Sequence, residues 1–489
     1  MSKQIFTASK EIKHEYACTI VKIGELHPIE GKDNIVSTLV NGLSMVVRKD
    51  QVKEGDIMFY AMNETQLNEK FLAANNLFGI DDYEKNSNAV EVGKLLSEDK
   101  RDEARKHVGF FNKYGRVKLI RLGGIPSYGY IFSVHELAKV YPEVLNVNLE
   151  ELVDTDFDTI NDELFIKVYV PPVKEGTARG NGVEKRNRKL FQFDRLIPGH
   201  FNFHYNTQQL SREIVRINPQ DVVSLSIKIH GTSAIFGNIL TKAPKWGGLY
   251  AKIFPYLPKF LQFGKEEYGL VYSSRTVIKN KYINNKVSSG FYGTDIWGEY
   301  AERLDGKIPE GMMLYGEIFG YLTENQKMIQ KDYDYGCPVG TNKLMLYRIT
   351  TENEDGTKRE WDVQEVHDWT VELVQKYPEL EKFIHPIDIL YVGTLSQLYP
   401  DIDIANHWHE NVLEAMKNDK KLLGMELNEP LCKKKVPREG IVLRKVGDEV
   451  AEAFKLKCSK FLIAEGEAIT KAENNGDEYE DLEMEEAYA

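Results

Sequence analysis

Cysteine is scarce in this chain: four residues in 489, Cys18, Cys337, Cys432 and Cys458, far apart and with no Cys-x-x-Cys spacing. Such thiols build neither a disulfide framework nor a zinc site, and they fit a reducing cytosol. Long apolar runs are missing as well. No stretch is long enough to span a bilayer, and the opening MSKQIFTASKEIKHEY lacks the apolar run of a secretion signal. The expectation is a cytoplasmic protein with no membrane partner (host cytoplasm, if the source is a virus). Net positive charge is also lacking, since the formal charge is −12, which argues at first against nucleic acid. Eight carboxylates distort that figure: Glu473, Asp477, Glu478, Glu480, Asp481, Glu483, Glu485 and Glu486 crowd the last stretch, and removing them leaves −4. Local basic patches therefore carry more information than the total.

At this length about two to four domains and a sizeable core are expected. Tyr16 to Ile23 and Ile35 to Val40 read as strands, and Asn41-Gly42 is a strong hairpin signal leading into Leu43 to Val47. Lys53-Glu54-Gly55-Asp56 makes another turn before Ile57 to Ala61. Short strands joined by tight turns predict a small barrel or sandwich over residues 1–135. Residues 136–217 read as a connector, within which Val173 to Lys189 is basic, glycine-containing and poor in apolar residues. That segment suits either a mobile loop along phosphates or a solvated linker. A third region spans 218–465 and holds a helical insertion near 362–429, expected to pack beside the core rather than do chemistry, and residues 466–489 read as an acidic, disordered tail.

The centre of the third region is SLSIKIHGTSAIF, Ser224 to Phe236. Val222 to Ile229 is a β-rich run that places Lys228 at a strand end, Gly231-Thr232-Ser233 supplies a turn, and Ala234 to Leu240 resumes a strand. Ser273-Ser274-Arg275 follows at the end of a strand beginning near Leu270, and then an apolar strand, Leu314-Tyr315-Gly316-Glu317-Ile318. Leu344 to Ile349 carries Tyr347, and Arg438-Glu439-Gly440-Ile441-Val442-Leu443-Arg444 precedes Phe454-Lys455-Leu456-Lys457. Between the first two of these, Thr241 to Glu267 interleaves Lys242, Lys245, Lys252, Lys259 and Lys265 with six aromatic rings. It suits contact with phosphates and bases, or, as the preferred reading, a hydrophobic hairpin packed on the domain with lysines reaching outward.

Taken in order, these segments resemble the motif set I, Ia, III, IIIa, IV and V of the covalent nucleotidyltransferases, beginning with a Lys-x-x-Gly nucleophile motif at Lys228. Three other Lys-x-x-Gly matches, at Lys106, Lys245 and Lys421, stand outside that order and receive no role. The GDIMFYAMNET segment and Gly115 to Phe132 resemble the N-terminal OB-fold of an ATP-dependent RNA ligase family in which that module precedes the catalytic domain. The fold implied is α+β: an OB-fold β-barrel, then a nucleotidyltransferase domain of antiparallel sheets with flanking helices. The barrel serves packing alone or grips RNA.

The resemblance implies that ATP adenylates Lys228, that AMP passes to an RNA 5′-phosphate, and that a 3′-hydroxyl displaces it. Lysine near its reference pKa of about 10.4 is neutral in roughly one copy in a few thousand at pH 7, so the site must lower that pKa or take the proton. Mg²⁺ or Mn²⁺ held by Glu317 and Glu439 is implied as one means. Lys455 and Lys457 are expected to neutralise phosphate charge, Arg275 to hold ribose and later the RNA 5′-phosphate, and Tyr347 to stack on adenine, with Leu346 on the opposite face as competitor. His230 stands where many superfamily members have Asp, and is expected to buttress the turn rather than move a proton. Two other readings remain: a GTP-dependent capping guanylyltransferase, which should carry its OB module after motif V, and a non-catalytic RNA-end binding protein. RNA ends, nicked duplex among them, are the expected partner of a monomer.

Overall fold

The structure is a computed structural model, and it describes residues 5–9, 16–170, 193–205, 207–283, 292–353, 356–422, 428–447 and 452–475. The basic segment Val173 to Lys189 and the last fourteen positions, 476–489, lie outside them. Two compact units divide the chain, one of residues 1–171 with 462–471, the other of 172–461 with 472–489.

In the N-terminal unit a four-stranded sheet runs in the order Gly129–Phe132, Ile57–Met62, Cys18–Lys22, Asp156–Phe157, all antiparallel. His27–Ile29, Lys32–Val40 and Leu43–Arg48 form a second, three-stranded antiparallel sheet. Its hairpin turns at Asn41-Gly42, both with positive φ (49° and 68°), as a two-residue turn matched to strand twist requires. Phe6, Phe59, Phe132, Phe157 and Phe165 fill the core as an aromatic cluster. Strand pairing among the described residues gives separate small sheets and no closed barrel. The expected boundary at 135 is corrected, because Asp156–Phe157 pairs with Cys18 and Thr19 and Phe165 enters the same core. The first part of the supposed connector thus completes the N-terminal unit.

The second unit is built on two sheets. The first has the order Gln208–Gln209, Ala453–Lys457, Gly440–Lys445, Val222–Lys228, Ile389–Thr394. The second runs Gly264–Ser273, Thr232–Pro244, Met312–Gly320, Asn342–Glu352, Lys358–Glu360, with Ile384–Pro386 added in parallel to Asn342–Glu352. Each sheet buries one face under helices. Ile296–Leu304, capped by the Asp295 carboxylate accepting from the Gly298 N–H, sends Ile296, Trp297, Tyr300 and Leu304 at helical spacing onto Phe236, Leu314 and Leu346. Val363–Lys376 opens with a capping box between Asp362 and Glu365 and adds Val366 and Leu373 to the same core. Trp408–Asn418 covers the first sheet with Trp408, Val412, Leu413 and Met416, against Val223, Leu225 and Leu443.

Three expectations fail here. The 362–429 stretch is not a helical insertion beside the core, since Ile384–Pro386 and Ile389–Thr394 join both sheets, the latter pairing with the Lys228 strand. Residues 466–475, expected as disordered tail, belong to the helix Ser459–Asn475. The 241–267 segment is not packed down. Its strands continue as a long ribbon from Ile235 paired with Ser273 to Pro244 paired with Gly264, and at the tip Phe254 is buried while Trp246, Tyr256, Phe260 and Phe263 are exposed. Among the described residues, no helix is long and apolar enough to cross a membrane.

Candidate active site

Strand alternation sorts the first sheet into two chemistries. Val223, Leu225, Ile441, Leu443, Phe454 and Leu456 face the hydrophobic core. On the other face the register aligns Lys228 with Gly440 and Gly440 with Lys457, and aligns Ser226 with Val442 and Val442 with Lys455. Residues directly opposite one another share a face, so Lys228, Lys455 and Lys457 come from separated strands to one side of one sheet. The Lys228 chain then turns through 229–231 into Thr232–Pro244 of the second sheet, where Ser233 pairs with Glu317.

The Lys228 Nζ donates to Glu439 Oε1 at 2.6 Å, and Lys457 Nζ lies 3.8 Å from the same oxygen. These side chains are 20 % (Lys228), 5 % (Lys457) and 3 % (Glu439) exposed, so the charges interact where water screens little. Glu439 Oε2 is buried with no hydrogen-bond partner. The carboxyl of Glu317 is pushed up to about 8, by burial first and also by the nearby Glu439, while Lys228, Arg275 and the Gly231 N–H pull it back. Two carboxylates and an open acceptor oxygen beside a lysine amine form a donor set that a divalent cation would suit. No cluster of three or more His, Cys, Asp or Glu placed to hold a metal occurs among the described residues.

The glycines of the motifs have a steric cause. A Cβ on Gly231 would lie 2.4 Å from Ile318 O and 2.8 Å from Glu317 Cγ, and one on Gly440 would lie 2.3 Å from Leu456 O. Gly316 is closed off in the same way by Met345 O at 2.6 Å. The lysine turn and both glutamates therefore sit where backbones touch. Gly231→Ala is expected to lower stability by about 1–3 kcal/mol, the usual cost of forcing a methyl into packed structure. Chemical denaturation of the variant checks this, and an unchanged midpoint would mean the turn relaxes freely.

The turn is held by residues that no local pattern singles out. Tyr335 OH accepts from the His230 N–H at 2.8 Å, and Gln330 Nε2 donates to Gly231 O at 2.9 Å. The His230 ring packs edge-on between Tyr333 and Phe461, each with centroids 5.0 Å away, which is the buttressing geometry expected of it. Tyr347 reaches the cleft through a bulge: Tyr315 pairs with Arg348 and Gly316 with Leu346, so Tyr347 is the extra residue and turns to the Glu317 side. Leu346 is buried in the core on the other face. Arg275, half-buried after its strand ends, lies near enough to act electrostatically on Glu317, Tyr347 and His204.

His204 and Arg444 are further residues that sequence reasoning missed. His204 stacks on the Tyr347 ring at 5.9 Å, with Nδ1 3.1 Å from Tyr347 OH and Nε2 2.7 Å from Ser233 Oγ. Burial, with Arg275 and Arg348 adding, holds its pKa well below the ordinary histidine value. The guanidinium of Arg444 lies over Tyr347 at 5.7 Å. His204 belongs to no strand or helix, so no periodic signal marked it; Arg444 stood inside motif IV but without a position-specific reason.

With this geometry in view, the chain can be set beside known proteins. Residues 221–460 match the family model described as RNA ligase. The fold resembles that of a Naegleria gruberi RNA ligase, solved as a lysine-to-alanine variant with ATP and Mn, at 17 % identity and a TM-score of 0.50, covering 91 % of this chain and 98 % of that one. A glutamate-to-alanine variant of the same ligase with AMP and Mn gives 16 % identity, a TM-score of 0.50 and coverage of 91 % and 98 %. No curated protein matches. The matched segment contains Lys228, Arg275, Glu317, Tyr347, Glu439, Lys455 and Lys457, so it is the part of the chain carrying these side chains that is similar to the RNA ligase family.

Proposed function

We propose that this protein is an ATP-dependent RNA ligase that joins a 3′-hydroxyl to a 5′-phosphate through a lysyl-AMP intermediate. The observation that carries the reading is the Lys228 amine held at 2.6 Å by Glu439, beside Lys457 and Glu317. Lys228 Nζ attacks the α-phosphorus of ATP, forming a P–N bond as the P–O bond to pyrophosphate breaks. Its proton has an acceptor in the carboxylate to which it already donates. Lys455 and Lys457, fixed on one face of one strand, meet the negative charge that builds on the phosphates. An oxygen of the RNA 5′-phosphate then displaces Lys228 from the AMP phosphorus. Arg275 is suited to hold that phosphate by its fork. In the last step the 3′-oxygen attacks the 5′-phosphorus and AMP leaves.

Glu317 and Glu439 would hold a divalent cation, Mg²⁺ or Mn²⁺, whose charge would favour the neutral amine and screen the phosphates. The unpartnered Glu439 Oε2 and the raised pKa of Glu317 support that assignment. Tyr347 is proposed to border the nucleobase, with His204 fixing its hydroxyl. The N-terminal unit is proposed to be an OB-fold that engages RNA, supported by its tightly turned antiparallel strands. A cytoplasmic monomer acting on RNA ends, nicked duplex included, is part of the same proposal.

Incubation with α-labelled ATP or GTP and Mg²⁺ tests the reading. Label that survives denaturation after ATP alone supports the ligase, label from GTP points to capping, and no label from either points to an RNA-end binding protein. Lys457→Ala is expected to slow adduct formation by about 100-fold or more, as loss of an oriented charge at a developing anion does. Adduct formation at the parent rate in single-turnover labelling would remove Lys457 from the chemistry.

A further inference from the structure

The ribbon made by Thr232–Pro244 and Gly264–Ser273 begins at the cleft, where Ser233 faces Glu317, and ends in the 245–263 tip. From Ser233 to Pro244 it extends about 36 Å at the usual rise per residue. The tip is knitted internally: Tyr250 OH accepts from the Phe263 N–H at 2.7 Å and donates to Leu261 O at 2.9 Å, and Tyr250 packs on Trp246 and Phe254. It is therefore a built surface rather than a loose end. Onto that base it presents Tyr256 and Phe260, 72 % and 78 % exposed, and the same tip carries exposed Lys245, Lys252 and Lys259. No Asp or Glu occurs within the 245–263 tip, although the whole chain carries −12; the exposed Glu266 and Glu267 lie on the ribbon before it, opposite Lys242 and Thr241.

We infer that this tip is a docking surface for unpaired nucleotides of the RNA strand whose end lies in the cleft. The inference rests on the ligase reading for the identity of the RNA. A polyanion suits a patch with lysines and no acid, and exposed rings offer faces on which any base stacks. Continuity favours RNA over other anionic surfaces, because the ribbon leads from the reacting position straight to the patch. At about 3.4 Å per stacked nucleotide, its length corresponds to roughly ten nucleotides. The tip thus adds affinity only for strands long enough to reach it.

The test uses the full-length protein and two variants, Tyr256→Ser with Phe260→Ser, and Lys252→Gln with Lys259→Gln. Binding is measured by anisotropy of labelled RNA that cannot be joined, with single-stranded arms of about 6 or about 20 nucleotides, lengths on either side of the expected reach. The aromatic variant is expected to weaken long-arm binding by about 10-fold or more and leave short-arm binding alone. The lysine variant should lower the salt slope for long arms by about 1.4, about 0.7 for each phosphate no longer neutralised. Lysyl-AMP formation from ATP without RNA should stay within about twofold of the parent for both, since neither pair of residues lies in the cleft. Unchanged long-arm binding overturns the inference, whether or not the parent forms an adduct. So does equal weakening of both arm lengths. Loss of binding to anionic phospholipid vesicles with RNA binding intact assigns the tip to a membrane, and loss of self-association with RNA binding intact assigns it to a second copy. Failure of the parent to form any adduct, by contrast, sinks the ligase reading and leaves the arm-length result to be judged alone.

Discussion

Lys228→Ala is expected to yield no denaturation-resistant adduct with ATP while keeping the parent fold. The chemical half of this follows from the absence of a substitute nucleophile of the same reach: Lys455 and Lys457 project from another strand, and Lys457 is itself turned to Glu439 at 3.8 Å. The structural half follows from where Lys228 sits. It is the last residue of its strand, and its backbone neighbours Val223, Leu225 and Ile229, not its side chain, fill the core. Removing its amine does not strand Glu439, since Lys457 still faces the same oxygen. A second variant, Lys228→Arg, keeps a cation against Glu439 but replaces the amine by a guanidinium that stays protonated. It should fold and label no better than the alanine variant. Labelling by either at more than a trace of the parent level would place the nucleophile elsewhere, and circular dichroism with thermal melting separates lost chemistry from lost fold.

The parts of this site that were legible in the sequence are those set by backbone geometry. Strand alternation put Lys455 and Lys457 on one face, and Gly231 marked the turn that follows Lys228. Both signals are local, so a linear reading finds them. What was not legible depended on neighbours far away in the chain. Ile384–Pro386 and Ile389–Thr394 are three- and six-residue strands that exist because longer strands offer them an edge; alone, their sequence does not distinguish them from a loop between helices. Gln330 and Tyr335 hold the lysine turn from a stretch without regular structure, Tyr335 at a positive φ of 45°. The tip of the ribbon misled for a different reason: interleaved rings and lysines have the same composition whether the rings are buried or exposed, and only the strand register carries them away from the core.

The largest combined effect on chemistry and stability is expected at Glu439. Its carboxylate is 3 % exposed and receives Lys228 at 2.6 Å and Lys457 at 3.8 Å, while its second oxygen has no partner. Glu439→Ala removes the anion shared by two enclosed ammonium groups, a change of the kind that costs about 3–5 kcal/mol when one member of a buried pair is lost. It should also cut adduct formation by about 100-fold or more, because the amine loses both its anchor and the acceptor for its proton. Glu439→Gln separates these effects. The amide oxygen still accepts from Lys228 and fills the same volume, so the loss of stability should be smaller than for alanine, but the negative charge is gone and adduct formation should remain depressed. Urea denaturation and single-turnover labelling of the two variants read both quantities. If the glutamine variant labels at the parent rate, geometry alone positions the lysine and the charge of Glu439 has no part in activating it. If instead alanine and glutamine are equally stable, the carboxylate is not the counter-ion that holds Lys228 and Lys457 together.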